Sequence, residues 1–275
     1  MEEGHDLMAS ILQAERLRLA YDDRVVIDNL SIDIPDGGFT IIVGPNACGK
    51  STLLKALART LRPAAGRVLL AGKPIDSFRS KHVARQLAML PQSPISPEAI
   101  TVRDLVGRGR YPHQTLLRQW SRADDAAVAG AMMATGVEDL ADRPVGALSG
   151  GQRQRVWIAM VLAQQTGLLL LDEPTTFLDI AHQYDVLELC ARLHQDGRTL
   201  VAVLHDLNQA ARYATNLVAM SRGEIVAQGP PGDVLTAELV ERVFGLRCRV
   251  LTDPEAGSPM IVPLASARRY DAGQR

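Results

Sequence analysis

The chain has 275 residues, 47% hydrophobic and 22% charged, and its net charge of -1 at pH 7 carries no basic excess pointing to nucleic acid or an anionic membrane. Its three cysteines, Cys48, Cys190 and Cys248, lie far apart, which is neither a disulfide framework nor a zinc spacing and suits a reducing compartment. The acidic, polar start does not read as a signal peptide, and the longest apolar stretch, 156–163, is too short to span a bilayer, so work at a membrane would need spans from another chain.

Residues 11–35 predict strands, with β-branched Val25, Val26, Ile27, Ile32 and Ile34, ended by a Pro35-Asp36-Gly37-Gly38 turn. Tyr21, between two such segments, admits two readings: a strand-end aromatic packed on its neighbours, or a platform on which adenine stacks. The run Thr40-Ile41-Ile42-Val43 predicts a buried strand leading into Gly44-Pro45-Asn46-Ala47-Cys48-Gly49-Lys50-Ser51-Thr52. That nonapeptide fits the phosphate-loop pattern of a glycine, four free positions and Gly-Lys-Ser/Thr. Leu53, Leu54, Ala56, Leu57, Ala58 and Leu61 follow at helical spacing. In a strand–loop–helix context the glycines let backbone N–H groups turn inward around an anion, and the helix N-terminus adds its dipole. Lys50 is placed to reach the β- and γ-phosphates, and the Ser51 hydroxyl to ligate Mg²⁺. The chain is therefore expected to bind a nucleoside triphosphate.

A hairpin is expected over 66–74, a short helix over 80–86, and a strand over 87–90 ended by Pro91. Residues 93–165 carry helical rather than strand patterns, with Val102, Leu105 and Val106 on one apolar face and Ala126, Ala127, Ala131 and Met132 on another. They predict a helical subdomain inserted into an α/β core. Within it, Arg108-Gly109-Arg110-Tyr111-Pro112-His113 reads either as a recognition surface or as a solvated loop. Ser149 is a natural N-cap, and Gly150 and Gly151 behind it offer a second set of helix-terminal N–H groups to an anion. Four leucines, 168–171, predict a central strand buried on both faces, and Asp172 and Glu173 stand at its C-terminal end, where α/β sheets bind ligands. Asp172 is expected to hold Mg²⁺ through water, and Glu173 to orient or deprotonate the attacking water. An amphipathic helix over 180–193 and a buried strand over 199–204 follow, and His205, just past that strand, is read as a γ-phosphate contact. His5, His82, His113, His182 and His194 have no such context. Residues 217–264 read as short strands and turns with a helix over 237–244, and 266–275 as a frayed tail.

The phosphate loop, Gln92, Leu148-Ser149-Gly150-Gly151-Gln152, the 168–173 strand, Leu178-Asp179 and His205, in this order, resemble the ATP-binding subunit of ABC transporters over residues 10–264. Three words are most similar to the ferric-siderophore importer branch, ferric-enterobactin ATPases especially: residues 171–183, ending Phe177-Leu178-Asp179-Ile180-Ala181-His182-Gln183; His205-Asp206-Leu207-Asn208-Gln209-Ala210; and residues 236–248. Phe177 departs from the Trp, Ser or Ala-type residue of many relatives, which loosens assignment to one siderophore. The resemblance implies a P-loop NTPase core with an antiparallel β subdomain and an inserted helical subdomain, one domain over 8–265 with its core at 8–92 and 166–265 and its insert at 93–165.

It also implies Mg-dependent hydrolysis of ATP by a head-to-tail homodimer. Each ATP would lie between the phosphate loop of one copy and Ser149, Gly150, Gly151 and Gln152 of the other, with Asp179 communicating between the two sites. Gln92 would sense the γ-phosphate and join Ser51 and Asp172 at the metal. The implied partners are two permease subunits in the membrane, served by a substrate-binding protein, with this chain peripheral on the cytoplasmic face. In that setting Arg110 and Tyr111 are candidate anchors for the permease. Haem, cobalamin, a hydroxamate or another iron chelate remain alternative cargoes, since permease and binding protein select what is carried; iron itself would not touch this chain. An ABC-type ATPase acting on nucleic acid is the rival of another class. One phosphate loop, no heptad run between Gln92 and Ser149, and near-neutral charge argue against it.

Overall fold

The computed structural model describes residues 10–22, 24–95, 97, 99–115 and 120–264. The expected domain limits at 8 and 265, the 266–275 tail and His5 lie outside them. Strands β1 (Ser10–Tyr21) and β2 (Arg24–Pro35) pair antiparallel. Next come β3 (Phe39–Val43) and α1 (Lys50–Leu57), flanking the phosphate loop. The expected hairpin is β4 (Ala65–Leu70) and β5 (Lys73–Pro74). A one-turn helix α2 (Ser80–Ala84) leads to β6 (Leu87–Leu90).

Between β6 and the next strand the described elements are helices: α3 (Val102–Gly107), a 3-10 segment Arg108–His113, α4 (Arg122–Thr135) and α5 (Gly150–Ala163). Then follow β7 (Leu168–Asp172), α6 (Ile180–Gln195), β8 (Thr199–Val203), α7 (Leu207–Tyr213), β9 (Asn216–Ser221) and β10 (Glu224–Gly229). Helices α8 (Pro231–Val234) and α9 (Ala237–Phe244) precede a hairpin of β11 (Cys248–Thr252) and β12 (Pro259–Pro263).

β2-β1-β4-β5 form an antiparallel sheet, and β10-β9-β3-β8-β7-β6 a second sheet that is parallel except at β10. The apolar runs of the central strands work because successive side chains point to opposite faces. Ile41, Leu169, Leu171, Leu200 and Ala202 join one core with α5, α6 and α9. Ile42, Leu168, Leu170, Val201 and Val203 join the other, with α1 and the antiparallel sheet. Burying one such leucine is worth about 1.5–3 kcal/mol. Every residue of β3, β7 and β8 is buried, so the ends of these strands are held rigidly where the phosphate loop, Asp172 and His205 follow them.

Two expectations for the inserted helices are corrected. Ala126 does not share the apolar face of α4; it is exposed, while Ala127, Val128, Ala131 and Met132 are buried. Arg110 is no exposed anchor. It is 4% exposed and donates to Asp124 Oδ1 at 2.8 Å, to the Ala163 carbonyl at 2.8 Å and to Gln165 Oε1 at 2.9 Å. The segment is pinned further by Arg85, which donates to the Pro112 carbonyl at 2.9 Å, and by His113 against the Gln164 carbonyl at 2.9 Å. Gly109 passes so close to α5 that a Cβ there would sit 2.2 Å from the Met160 carbonyl oxygen. Tyr111 alone of the proposed pair faces outward, 64% exposed, with Lys81 Nζ 4.7 Å from its ring centroid.

Candidate active site

The loop after β3 is shaped by contact as much as by glycine flexibility. A Cβ on Gly44 would meet the Met220 carbonyl oxygen at 2.2 Å, so only glycine fits against β9 there. Ala47 (φ 60°) and Gly49 (φ 106°) then take left-handed conformations that curl the chain into the N-terminus of α1. Lys50 is 5% exposed and crosses the loop, donating to the carbonyls of Gly44 at 2.8 Å and Pro45 at 2.9 Å. Two of its three donors are used in this way. Cys48 lines the loop, but its side chain is turned into the core of the antiparallel sheet and burial pushes its thiol up, against the pull of Lys50.

β7 delivers the two carboxylates into different surroundings. Asp172 is 0% exposed. Its Oδ1 accepts from the Ser51 hydroxyl at 2.8 Å, while its Oδ2 is buried without a hydrogen-bond partner. Burial pushes its pKa above the ordinary carboxylate range; the Ser51 bond opposes this, the Glu173 charge adds to it, and Lys55 and Lys50 counter it. An unpartnered buried carboxylate oxygen beside a hydroxyl is the kind of hard oxygen set that suits Mg²⁺. Glu173, 8% exposed, sits at φ 52°. Its Oε1 accepts from His205 Nε2 at 2.7 Å and its Oε2 from Thr176 Oγ1 at 3.1 Å. Burial alone would raise its carboxyl too, but hydrogen bonds from His205 and Gln92 and the histidine's charge outweigh that and hold it below the usual range. Glu173 is thus kept ionised, as an acceptor of protons must be.

Tyr21, residues 46–52, Gln92, Glu173 and His205 line one open cleft of about 1210 Å³. Tyr21 stands at its rim, 43% exposed. The cleft also takes in Asp22, Arg24 and Val26, and Thr176 supports Glu173, none of which sequence reasoning singled out. The usable signal was the charged pair at the tight β1–β2 turn beside Tyr21.

Ser149, Gly150, Gly151, Gln152 and Asp179 do not line this cleft. Ser149 caps α5 reciprocally with Gln152: its Oγ accepts from Gln152 N at 3.2 Å, and Gln152 Oε1 accepts from Ser149 N at 3.1 Å. Asp179 caps α6, accepting from His182 N at 3.0 Å. Both helix termini expected from the sequence are formed, and within one chain they lie apart, only the first of them lining the cleft.

The family model described as ABC transporter matches residues 27–176. The ferric enterobactin transport ATP-binding protein FepC of Escherichia coli (strain K12) is 57% identical over 92% of this chain and 94% of its own length. The petrobactin import ATP-binding protein FpuD of Bacillus anthracis is 51% identical over 95% of this chain and 96% of its own. Among solved structures, cbiO1 from Clostridium perfringens, part of the ABC transporter complex cbiONQ, superposes with a TM-score of 0.71 at 31% identity, over 85% of this chain and 93% of that one. An ABC transporter in an inward-facing conformation gives a TM-score of 0.79 at 30% identity, over 94% and 98%. With a phosphate loop, paired carboxylates and a capped glycine helix all in place, this chain belongs to the ABC transporter family, among its ATP-binding subunits.

Proposed function

We propose that this ATPase drives uptake of a ferric siderophore through a separate pair of permease subunits, as a head-to-tail dimer on the cytoplasmic face of the membrane. The observation that carries the reading is the placement of ionised Glu173 and buried Asp172 beside the phosphate loop, while the second anion-binding terminus, at Ser149, lies outside that cleft. A γ-phosphate that needs both termini can have them only when two copies meet, each giving its Ser149–Gln152 turn to the other's loop. No helix among the described residues is long and apolar enough to cross a membrane; in this reading the permease provides the spans. Tyr111, at a second cleft of about 480 Å³ with Arg103, Arg108 and Trp120, supports docking of the permease on the inserted helices. Ferric siderophore as cargo rests on relatives named for enterobactin and petrobactin, at 57% and 51% identity.

In this reading the α1 N-terminus and Lys50 bind the β- and γ-phosphates, and the Tyr21 ring stacks on adenine. Ser51, Asp172 and Gln92 would hold Mg²⁺, which would supply positive charge against that developing on the phosphate oxygens. Glu173 accepts a proton from water as the water oxygen attacks the γ-phosphorus and ADP leaves. His205 steadies Glu173 at 2.7 Å and contacts the γ-phosphate. Contacts made through the γ-phosphate are lost on hydrolysis, so the dimer opens, and this difference in affinity does work on the permease.

The test is Glu173→Gln with saturating MgATP. Turnover should fall on the order of 10²–10⁴-fold, the usual worth of a general base. Sedimentation should show a stable dimer, because binding outlives hydrolysis. A variant that stays monomeric contradicts the shared site, and one that keeps its turnover contradicts the role of Glu173. For cargo, the wild-type subunit with its permease should support uptake of a ferric siderophore and not of haem.

A further inference from the structure

The stretch from Glu173 to Leu178 joins the catalytic carboxylate to the turn that presents Asp179, and it runs against its own backbone preferences. Glu173 (φ 52°) and Phe177 (φ 66°) are both left-handed. Non-glycine residues hold such angles only where their surroundings over-determine them. The stretch supplies little of that itself, since Thr176 N reaches the Glu173 carbonyl at 3.2 Å and Leu178 N the Thr175 carbonyl at 3.4 Å. Its ends are held from outside by glutamines. Gln154, on α5, donates to the Pro174 carbonyl at 2.9 Å. Gln183, on α6, donates to the Leu178 carbonyl at 3.0 Å. Gln183 is itself fixed, because its Oε1 accepts from Gln209 Nε2 at 2.8 Å. Gln209 is 6% exposed and lies in the first turn of α7, the helix capped by Asp206 directly after His205.

These bonds close a ring: Glu173, its strained stretch, Leu178, Gln183, Gln209, the start of α7, His205, and back to Glu173 at 2.7 Å. The chemistry needs amides, because Gln183 must donate on one side while accepting on the other, which a primary amide does and a carboxylate, an ammonium or an apolar chain does not.

We propose that Gln154, Gln183 and Gln209 are positioning residues for hydrolysis, clamping the strained stretch at both ends so that Glu173 and His205 keep their mutual geometry. Because Gln154 projects from the inserted helices, a displacement of α5 is transmitted to the residue after Glu173. The proposal rests on Glu173 being the group that acts on water.

The test uses the full-length subunit, measuring kcat and KM for MgATP, nucleotide affinity by titration, and Tm. Gln154→Met removes one end of the clamp. The double variant Gln183→Met with Gln209→Met removes the other without stranding a buried amide. Gln183→Glu keeps an acceptor for Gln209 but loses the donor to Leu178. All three should lower kcat roughly ten- to a hundredfold, as a small misplacement of catalytic groups does, with KM, affinity and Tm near wild type. Combining Gln154→Met with the double variant should cost less than the product of the separate losses, since one stretch is being released. Unchanged kcat overturns the proposal, and so does a loss of kcat matched by equal losses of affinity or Tm, which marks a merely structural role. Glu173→Gln, assayed alongside, separates the two ideas. If it retains turnover, the reading of Glu173 fails; if it is inactive while the glutamine variants work as wild type, the clamp alone fails.

Discussion

Replacing Arg110 by alanine should destabilise the subunit without touching nucleotide binding. The guanidinium and the Asp124 carboxylate are 5% and 8% exposed, so solvent screens their attraction little. Removing the cation leaves Asp124 buried without its counter-charge and strips a charged donor from the Ala163 carbonyl and Gln165. Breaking a buried pair costs about 3–5 kcal/mol. The lower end applies, because the Ser121 hydroxyl still donates to Asp124 Oδ2 at 2.7 Å. About 3 kcal/mol in a chain of this size lowers Tm by roughly 6–10 °C. Calorimetry or dichroism melting is the assay, and Arg110→Met with Asp124→Leu should recover part of the loss, since no charge is then stranded. The acid limb offers a second readout. Burial raises the Asp124 carboxyl, but bonds from Ser121 and Arg110 prevail and hold it below its ordinary value. Its stabilisation is therefore complete above the unfolded value of about 3.9 and is lost as pH falls through the lower folded one. Asp124→Asn should flatten that dependence. If Arg110→Ala melts within about 1 °C of wild type yet fails to assemble with the permease, the buried-pair argument is wrong and Arg110 is a docking residue.

Tyr21→Ala should weaken ATP binding by about 1–3 kcal/mol, the worth of a base stacked on an aromatic ring, and Tyr21→Phe should bind as wild type; equal affinity of Tyr21→Ala in a titration would return Tyr21 to a packing role. The thiols should resist alkylation in the native state at neutral pH: all three cysteines are buried, burial raises Cys48 and Cys248, and it pushes Cys190 up to about 12, so little thiolate is present. Rapid iodoacetamide labelling at Cys48, followed by mass spectrometry, would show that the loop opens far more often than its packing implies.

Much of the architecture was readable because its signals are local. Four leucines in a row specify a doubly buried strand, the nonapeptide 44–52 specifies its own turn, and Ser149 with Gln152 writes out a capping box. The helix over 237–244 matched its expected bounds because Thr236 caps it and Gly245 ends it in a left-handed turn. Helix α7 was not foreseen. It is short, and its stability comes from the Asp206 cap and from packing Ala210 and Ala211 into the core. The misplacement of Arg110 has the same root. An arginine beside tyrosine and proline looks exposed in sequence, and only the approach of α4 and α5 supplies the carboxylate and carbonyls that bury it.

By itself, the sequence determined the chemistry available: a phosphate-binding loop, two carboxylates at a strand end, a histidine after the next strand, and a capped glycine turn. Each is a short-range pattern whose residue types and spacing carry their meaning. Only the tertiary structure decided which of them meet. Parallel pairing of β3, β8 and β7 sets the phosphate loop, His205 and Glu173 around one cleft, and brings Ser51 within 2.8 Å of Asp172 across 121 residues of chain. It left Ser149 and Asp179 outside that cleft, and it turned Gln154 and Gln183 into partners of a strained backbone, with Gln209 bonded to Gln183 behind them. Long-range hydrogen bonds of this kind depend on helices meeting at fixed distances, and packing sets those distances, not local sequence.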